Sequence, residues 1–254
     1  MPRRTFRDVV RAVESGTDDA GLLPVENTLA GGVAAAFDAL QAGDVAAVRE
    51  VIIPIRHFLL ALPGAELALL REVRSHPVAL VQCERFFEGH PELAAVAVHD
   101  TAGAAREVAD AGDPSLAAIA PRGAAKRYGL RILAEDLQDR DDNQTRFLLL
   151  RRRGSEDVAD PGSAAGLKTA VIVETENRPG ALHALLGVFA SRGLDLTFVE
   201  SRPAGTPWTY RFILEFRHAT RLEAEECLAS AKAPGRTIRP LGTYVPHVPS
   251  SGRP

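Results

Sequence analysis

The chain has 254 residues, 46% of them hydrophobic and 25% charged, enough to bury one large core or two moderate ones. A formal net charge of -3 gives no general electrostatic reason to expect nucleic acid or an anionic membrane surface as a partner. The two cysteines, Cys83 and Cys227, lie far apart with no CxxC or Cys/His cluster, which argues against a disulfide framework and a zinc site.

The opening PRRTFRDVVRAVESG carries basic and acidic residues but no apolar core, so it is not a secretory signal. Its Phe6, Val9, Val10 and Val13 recur at three- and four-residue spacing, which predicts a short helix between Thr5 and Ser15. AGLLPVEN reads as a strand, and GGVAAAFDALQAG returns to helical periodicity after a glycine pair. VREVIIPIRHFLLAL is expected to supply two strands, and HPVALVQCERFFEGH one helix ending at Gly89. The apolar stretches VIIPI and HFLLALPG are too short to span a bilayer, so a cytoplasmic protein is expected. AAVAVHDTAGAAREVADAG and LAAIAPRGAAKRYG each give strand, loop and helix, and TRFLLLRR closes as a strand. Such alternation predicts a mostly parallel sheet covered on both faces, with ligands beyond the carboxyl ends of its strands.

RRRGSEDVADPGSAAG is charged and then rich in Gly, Ala and Ser, the composition of a linker. After it, LKTAVIVET, GALHALLGVFASRG, LDLTFVESRP, WTYRFILEF, RLEAEECLASAK and TIRPLGTYV read as β, α, β, β, α, β, the order of a ferredoxin-like unit.

Five segments in order, LLPVENTLAGGV, SHPVALVQC, HDTAGAAREVA, AAIAPRGAAKRYGL and NQTRF, resemble the signature segments of prephenate dehydratases, and NRPGALHALLGVFASRGLDLTFVESRP is similar to that family's regulatory ACT domain. The resemblance implies an α/β fold: a two-lobed, type 2 periplasmic-binding-protein-like catalytic part over 1–152, a linker over 153–166, a ferredoxin-like ACT domain over 167–246 and a tail over 247–254. It also implies decarboxylative dehydration of prephenate to phenylpyruvate without cofactor or metal, phenylalanine as allosteric effector, and a homodimer or homotetramer. A chain cut after about Gly154 is then expected to stay active but unregulated. Arogenate is an alternative substrate. The strand and GPxGTFS-like segment that usually open the family are missing here, so a phenylalanine-binding protein with impaired catalysis is a further alternative. Val78 stands where the family often has Gln, and Thr28 and Asp100 where Ser is common.

The implied reaction needs hydroxyl and amide donors, a cation and an apolar wall. Thr145 is expected to donate to the leaving hydroxyl, Arg146 to anchor a carboxylate or brace the cleft, and Phe147 to pack; strand alternation sends Arg146 to the side opposite Thr145 and Phe147. Glu26 could act as an acid if buried, and Asn27 and Thr28 could contact substrate or cap the next helix. Thr101 and Ala102 open a helix whose free amides suit a carboxylate, with Asp100 as its cap. Gln82 is a further substrate contact, whereas Ser75 reads as a cap and His76 as structural. In the ACT-like part, Asn177, Gly180, Ala181 and Leu182 form a turn into a helix that could receive an amino acid's carboxylate. Glu200, Ser201 and Arg202 resemble the segment implicated in the same effector site, with Glu200 as ammonium partner.

Overall fold

The computed structural model describes residues 3–155 and 166–247, so most of the expected linker and tail lie outside the described residues. In chain order the elements are α1 (Phe6–Glu14), β1 (Gly21–Asn27), β2 (Gly31–Gly32), α2 (Ala34–Ala42), β3 (Val45–Pro54), β4 (Phe58–Ala61), β5 (Glu72–Ser75), α3 (Pro77–Val81) and α4 (Glu84–Glu88). There follow β6 (Ala94–Ala97), α5 (Thr101–Ala111), β7 (Leu116–Ala120), α6 (Arg122–Tyr128), β8 (Arg131–Ala134) and β9 (Gln144–Arg152). The C-terminal part adds β10 (Leu167–Glu174), α7 (Ala181–Ala190), β11 (Leu196–Pro203), β12 (Tyr210–His218), α8 (Arg221–Ala231) and β13 (Thr237–Tyr244).

Packing groups these elements into two compact units, one of Met1–Ile53 with Thr145–Pro254 and one of Pro54–Gln144. In the second unit the sheet order is β6-β5-β7-β4-β8. β5 runs parallel to β6 and β7, but β4 is antiparallel to β7 and β8. The expected mostly parallel sheet is therefore mixed. Crossover helices make parallel pairs and leave a sequence signature, whereas the antiparallel returns of β4 and β8 pair strands far apart in the chain. The single helix expected over 76–90 is likewise two short ones. Asp139 is the cause: its carboxylate accepts the amides of Glu84 and Arg85 at 2.8 and 3.1 Å, so α4 starts afresh on a cap supplied from 55 residues away.

The first unit holds a sheet ordered β2-β1-β9-β3. Thr5 starts α1 through a capping box with Asp8, and Val10 and Val13 of that helix enter a core with Leu23, Phe37, Leu148 and Leu150. The C-terminal sheet, ordered β11-β12-β10-β13, has α7 and α8 packed on one face through Leu185, Phe189 and Cys227. Its other face contributes Ala170, Ile172, Ile213, Leu241 and Tyr244 to the same core as Phe37 and Leu148. Two buried faces explain why β10 reads as an almost unbroken apolar run. The two sheets also touch backbone to backbone: Glu50 N donates to Val245 O at 2.9 Å, and a Cβ at Gly242 would stand against the Ala47 main chain.

Candidate active site

β1 and β9 bring the two best-defined chemical residues together. They are antiparallel, with Pro24 opposite Phe147, a register shift, then Glu26 opposite Arg146 and Asn27 opposite Thr145. Asn27 Nδ2 donates to Thr145 Oγ1 at 3.1 Å across 118 residues of chain. The orientation of the Asn27 amide is fixed by its other end, whose Oδ1 accepts the backbone amides of Leu29 and Ala30, both at 3.0 Å. With Oδ1 engaged by two N–H groups, the NH₂ must face Thr145. Oγ1 accepts that hydrogen bond, so the threonine keeps its own hydroxyl hydrogen for a further acceptor, polarised by the bond it receives.

The neighbouring cross-strand pair is a buried ion cluster. Arg146 Nε donates to Glu26 Oε2 at 2.8 Å, and its Nη1 lies 2.9 and 2.8 Å from the two carboxylate oxygens of Glu215. The same nitrogen reaches Glu50 at 3.3 Å, and Lys168 Nζ donates to Glu50 at 2.7 Å. Glu50 also accepts the His247 amide at 3.0 Å. Arg146 lies over the Phe198 ring, which stacks on Phe37. Burial alone would lower the Arg146 pKa, but the charge of Glu215, with Glu26 behind it, outweighs burial and holds it above the ordinary arginine value. Burial pushes Glu50 up, yet the hydrogen bonds of Lys168 and His247 and the charges of Lys168 and Arg146 together leave it below the usual glutamate range. The Tyr244 phenol is raised well above its ordinary value, first by burial and then by the charge of Glu215.

Arg146 thus takes its carboxylates from the protein itself, and Glu26, considered as an acid, is instead the partner of Arg146. Phe147 is half-buried opposite Pro24, and Thr28 lies in the turn between β1 and β2. The other expected contacts belong to the second unit. Thr101 and Ala102 begin α5, but Asp100 already caps it by accepting the Gly103 amide at 2.6 Å. Gln82 sits at the end of α3, its Oε1 2.9 Å from His57 Nε2. Ser75 is not a cap: it is fully buried and donates to Ile119 O at 2.6 Å, and His76 caps α3 through Nδ1. Sequence reasoning missed Glu50, Lys168 and Glu215. The signal was present, since each is a charged residue within an apolar strand and charges are almost never fully buried unpaired. No group of three or more His, Cys, Asp or Glu side chains suited to a metal ion occurs among the described residues.

Residues 1–155 match the prephenate dehydratase family, and residues 169–226 match the ACT domain. The chain belongs to the prephenate dehydratase family. It is 38% identical to the arogenate dehydratase/prephenate dehydratase 2 of Arabidopsis thaliana over 96% of its own length, and spans 66% of that relative. Among solved structures it is similar to the prephenate dehydratase of Arthrobacter aurescens in complex with L-Phe, with a TM-score of 0.85, 35% identity, and coverage of 96% of this chain and 80% of that one. It is also similar to GqqA, described as a novel type of quorum quenching acylase, with a TM-score of 0.86, 30% identity, and coverage of 97% and 89%.

In the ACT domain, Gly180 caps α7 in the left-handed conformation with φ +80°, which a side chain would resist. Ala181 and Leu182 form the first turn of that helix, and Asn177 Nδ2 donates to Trp208 O at 3.2 Å. The ESRP segment faces elsewhere. Glu200 packs against Gly32 of the β1–β2 hairpin, and Arg202 donates to Asp38 of α2 at 3.2 Å, beside Arg211 at 3.0 Å. Ser201 is exposed. Within one chain, then, Arg202 pairs with Asp38 of the catalytic part and Glu200 lies beside its β1–β2 hairpin. No helix among the described residues is long and apolar enough to cross a membrane.

Proposed function

We propose that the chain is a prephenate dehydratase, converting prephenate to phenylpyruvate, carbon dioxide and water, with phenylalanine as an allosteric effector. The observation that carries this is the Asn27–Thr145 hydrogen bond, a polarised hydroxyl whose hydrogen is available for the leaving ring hydroxyl. In the reaction the bond to the ring carboxylate breaks, its electron pair enters the ring, and the C–O bond at the opposite carbon breaks as the hydroxyl takes up a proton. Aromatisation supplies the driving force, so the protein's task is to assist departure of a poor leaving group and to orient the substrate. Thr145 meets the first need as hydrogen-bond donor. The effector assignment draws support from the ACT match and from the L-Phe complex of the Arthrobacter relative.

The experiment is turnover of purified full-length protein with prephenate and, in parallel, with arogenate, which the name of the plant relative includes. Phenylpyruvate formation that falls by about two orders of magnitude in Thr145→Ala and survives in part in Thr145→Ser is the expected result. Turnover of arogenate alone would move the substrate to the amino analogue. Because the likeness to GqqA spans almost the whole chain, an acylase assay is run on the same preparation. Acylase activity without either dehydration would displace the proposal, and an unaltered rate in Thr145→Ala would remove that residue from the chemistry.

A further inference from the structure

The chemistry proposed above uses Asn27 and Thr145 but leaves the charges behind them without a task. Glu26 and Arg146 are the next rung of the same β1–β9 ladder, each joined to a member of the reactive pair by one planar peptide. Within that rung Arg146 holds Glu26 on one side and reaches the ACT sheet on the other. Glu215, in the middle of β12, is 0% exposed and carries Arg146 on both carboxylate oxygens. Glu200 and Phe198 of β11 also pack against Gly32, which follows Asn27 in the β1–β2 hairpin. The ACT domain thus touches the segments bearing Asn27 and Thr145 both at Arg146 and at Gly32, with Phe198 beside each.

We infer that Glu215 is a positioning residue for the Asn27–Thr145 pair, acting through Arg146 and Glu26. This rests on the dehydratase reading of the site. A fully buried carboxylate cannot exchange Arg146 for water, and ion pairs in a dry interior hold their geometry because losing it leaves a charge uncompensated. Nη1 of Arg146 is shared between Glu215 and Glu50, and Nε is committed to Glu26. Neutralising Glu215 therefore lets the guanidinium move toward Glu50 and Glu26. Arg146 cannot shift along β9 without carrying the Thr145 carbonyl and turning its side chain away from Asn27. The same linkage gives the ACT sheet a bonded route to the reacting hydroxyl. Displacement of β12 on binding an effector would be felt at Thr145 through the Glu215–Arg146 hydrogen bond and one residue of backbone.

The test uses the full chain carrying Glu215→Gln, which keeps shape and an acceptor oxygen but removes the charge. A fall in kcat of about ten- to a hundredfold, with KM changed less than about twofold, is expected. Phenylalanine should still bind by calorimetry while its effect on turnover shrinks. Hydrogen exchange should rise in segments 21–32 and 144–150 and stay unchanged in α7 and α8. Should the glutamine variant not fold, Glu215→Asp, which retains the charge but withdraws it by one methylene, is measured for the same split. Wild-type kcat in a folded variant, or exchange that rises uniformly through the unit, would overturn the inference. If wild-type protein turns over neither prephenate nor arogenate, the dehydratase reading fails by itself, and the exchange pattern still decides whether Glu215 positions the pair.

Discussion

Lys168→Met removes a charge from the ion cluster while nearly preserving volume, and its effect follows from what Glu50 keeps. Glu50, 4% exposed, loses its closest bond, the 2.7 Å contact from Lys168. It retains the His247 amide at 3.0 Å and a longer reach to Arg146 at 3.3 Å. Breaking a buried ion pair from one side typically costs about 3–5 kcal/mol, and the surviving partners place this case near about 3. For a unit of this size that lowers Tm by roughly 6–12 °C. The pH dependence has a definite sign. Glu50 titrates below the ordinary value of 4.5 when folded, so it contributes stability above that value which is lost as pH falls through its folded pKa. Without Lys168 the burial contribution is less opposed and the folded pKa of Glu50 rises, so the variant loses less stability than wild type as pH falls. The gap between wild type and variant should therefore be widest near pH 7 and narrow in acid. Urea unfolding followed at pH 7 and at about pH 4 measures both, with Lys168→Met/Glu50→Gln as the double variant expected to recover much of the loss. A loss below about 1 kcal/mol that is the same at both pH values would refute the argument that this pair is a buried, coupled one.

Asn27→Ala deletes the bond to Thr145 and two accepted amide bonds. It should cost about 3 kcal/mol at roughly 1 kcal/mol per bond and lower kcat at least about tenfold, read from urea melts and initial rates. A chain ending at residue 155 should aggregate or unfold, because it strips Ile172, Ile213 and Leu241 from the core of the first sheet and leaves Arg146 without Glu215. Soluble, active truncated protein by gel filtration and assay would restore the earlier expectation of a detachable regulatory domain. Gly242→Ala should destabilise by several kcal/mol through its clash with the Ala47 main chain, seen as a large drop in Tm. Cys83, 0% exposed and with its thiol pushed up to about 12 by burial, should resist thiol reagents at pH 8 until denaturant is added.

The local part of the architecture was legible because it is written in short-range pattern. The 3–4 spacing of Phe6, Val9, Val10 and Val13 marks α1, and the β-α-β-β-α-β order of the C-terminal part follows from alternating runs and glycine stops. Strand direction in the sheet of β4 and β8 was not legible, nor was the break between α3 and α4, which depends on Asp139 from far along the chain. The pairing of Asn27 with Thr145 could be suspected only from resemblance, because 118 residues separate them. Arg146 shows the limit most clearly. Alternation places it on the far side of β9 from Thr145, but nothing in the local sequence says that the far side is covered by β12. The odd Lys168 in LKTAVIVE and Glu215 in YRFILEF were the available hints, each a charge that a strand buried on both faces would tolerate only with a partner.

The sharing of one core and one set of counter-ions by the two sequence families in this chain limits how its parts can be recombined. An ACT module grafted from a distant donor would have to bring an acid at 215 and a base at 168, or the host would inherit a stranded guanidinium beside Thr145. Swaps chosen by effector preference alone should give hybrids that bind the new signal yet turn over poorly. Transplanting β10 and β12 together with β1, β3 and β9, which carry their ion-pair partners, is the safer cut.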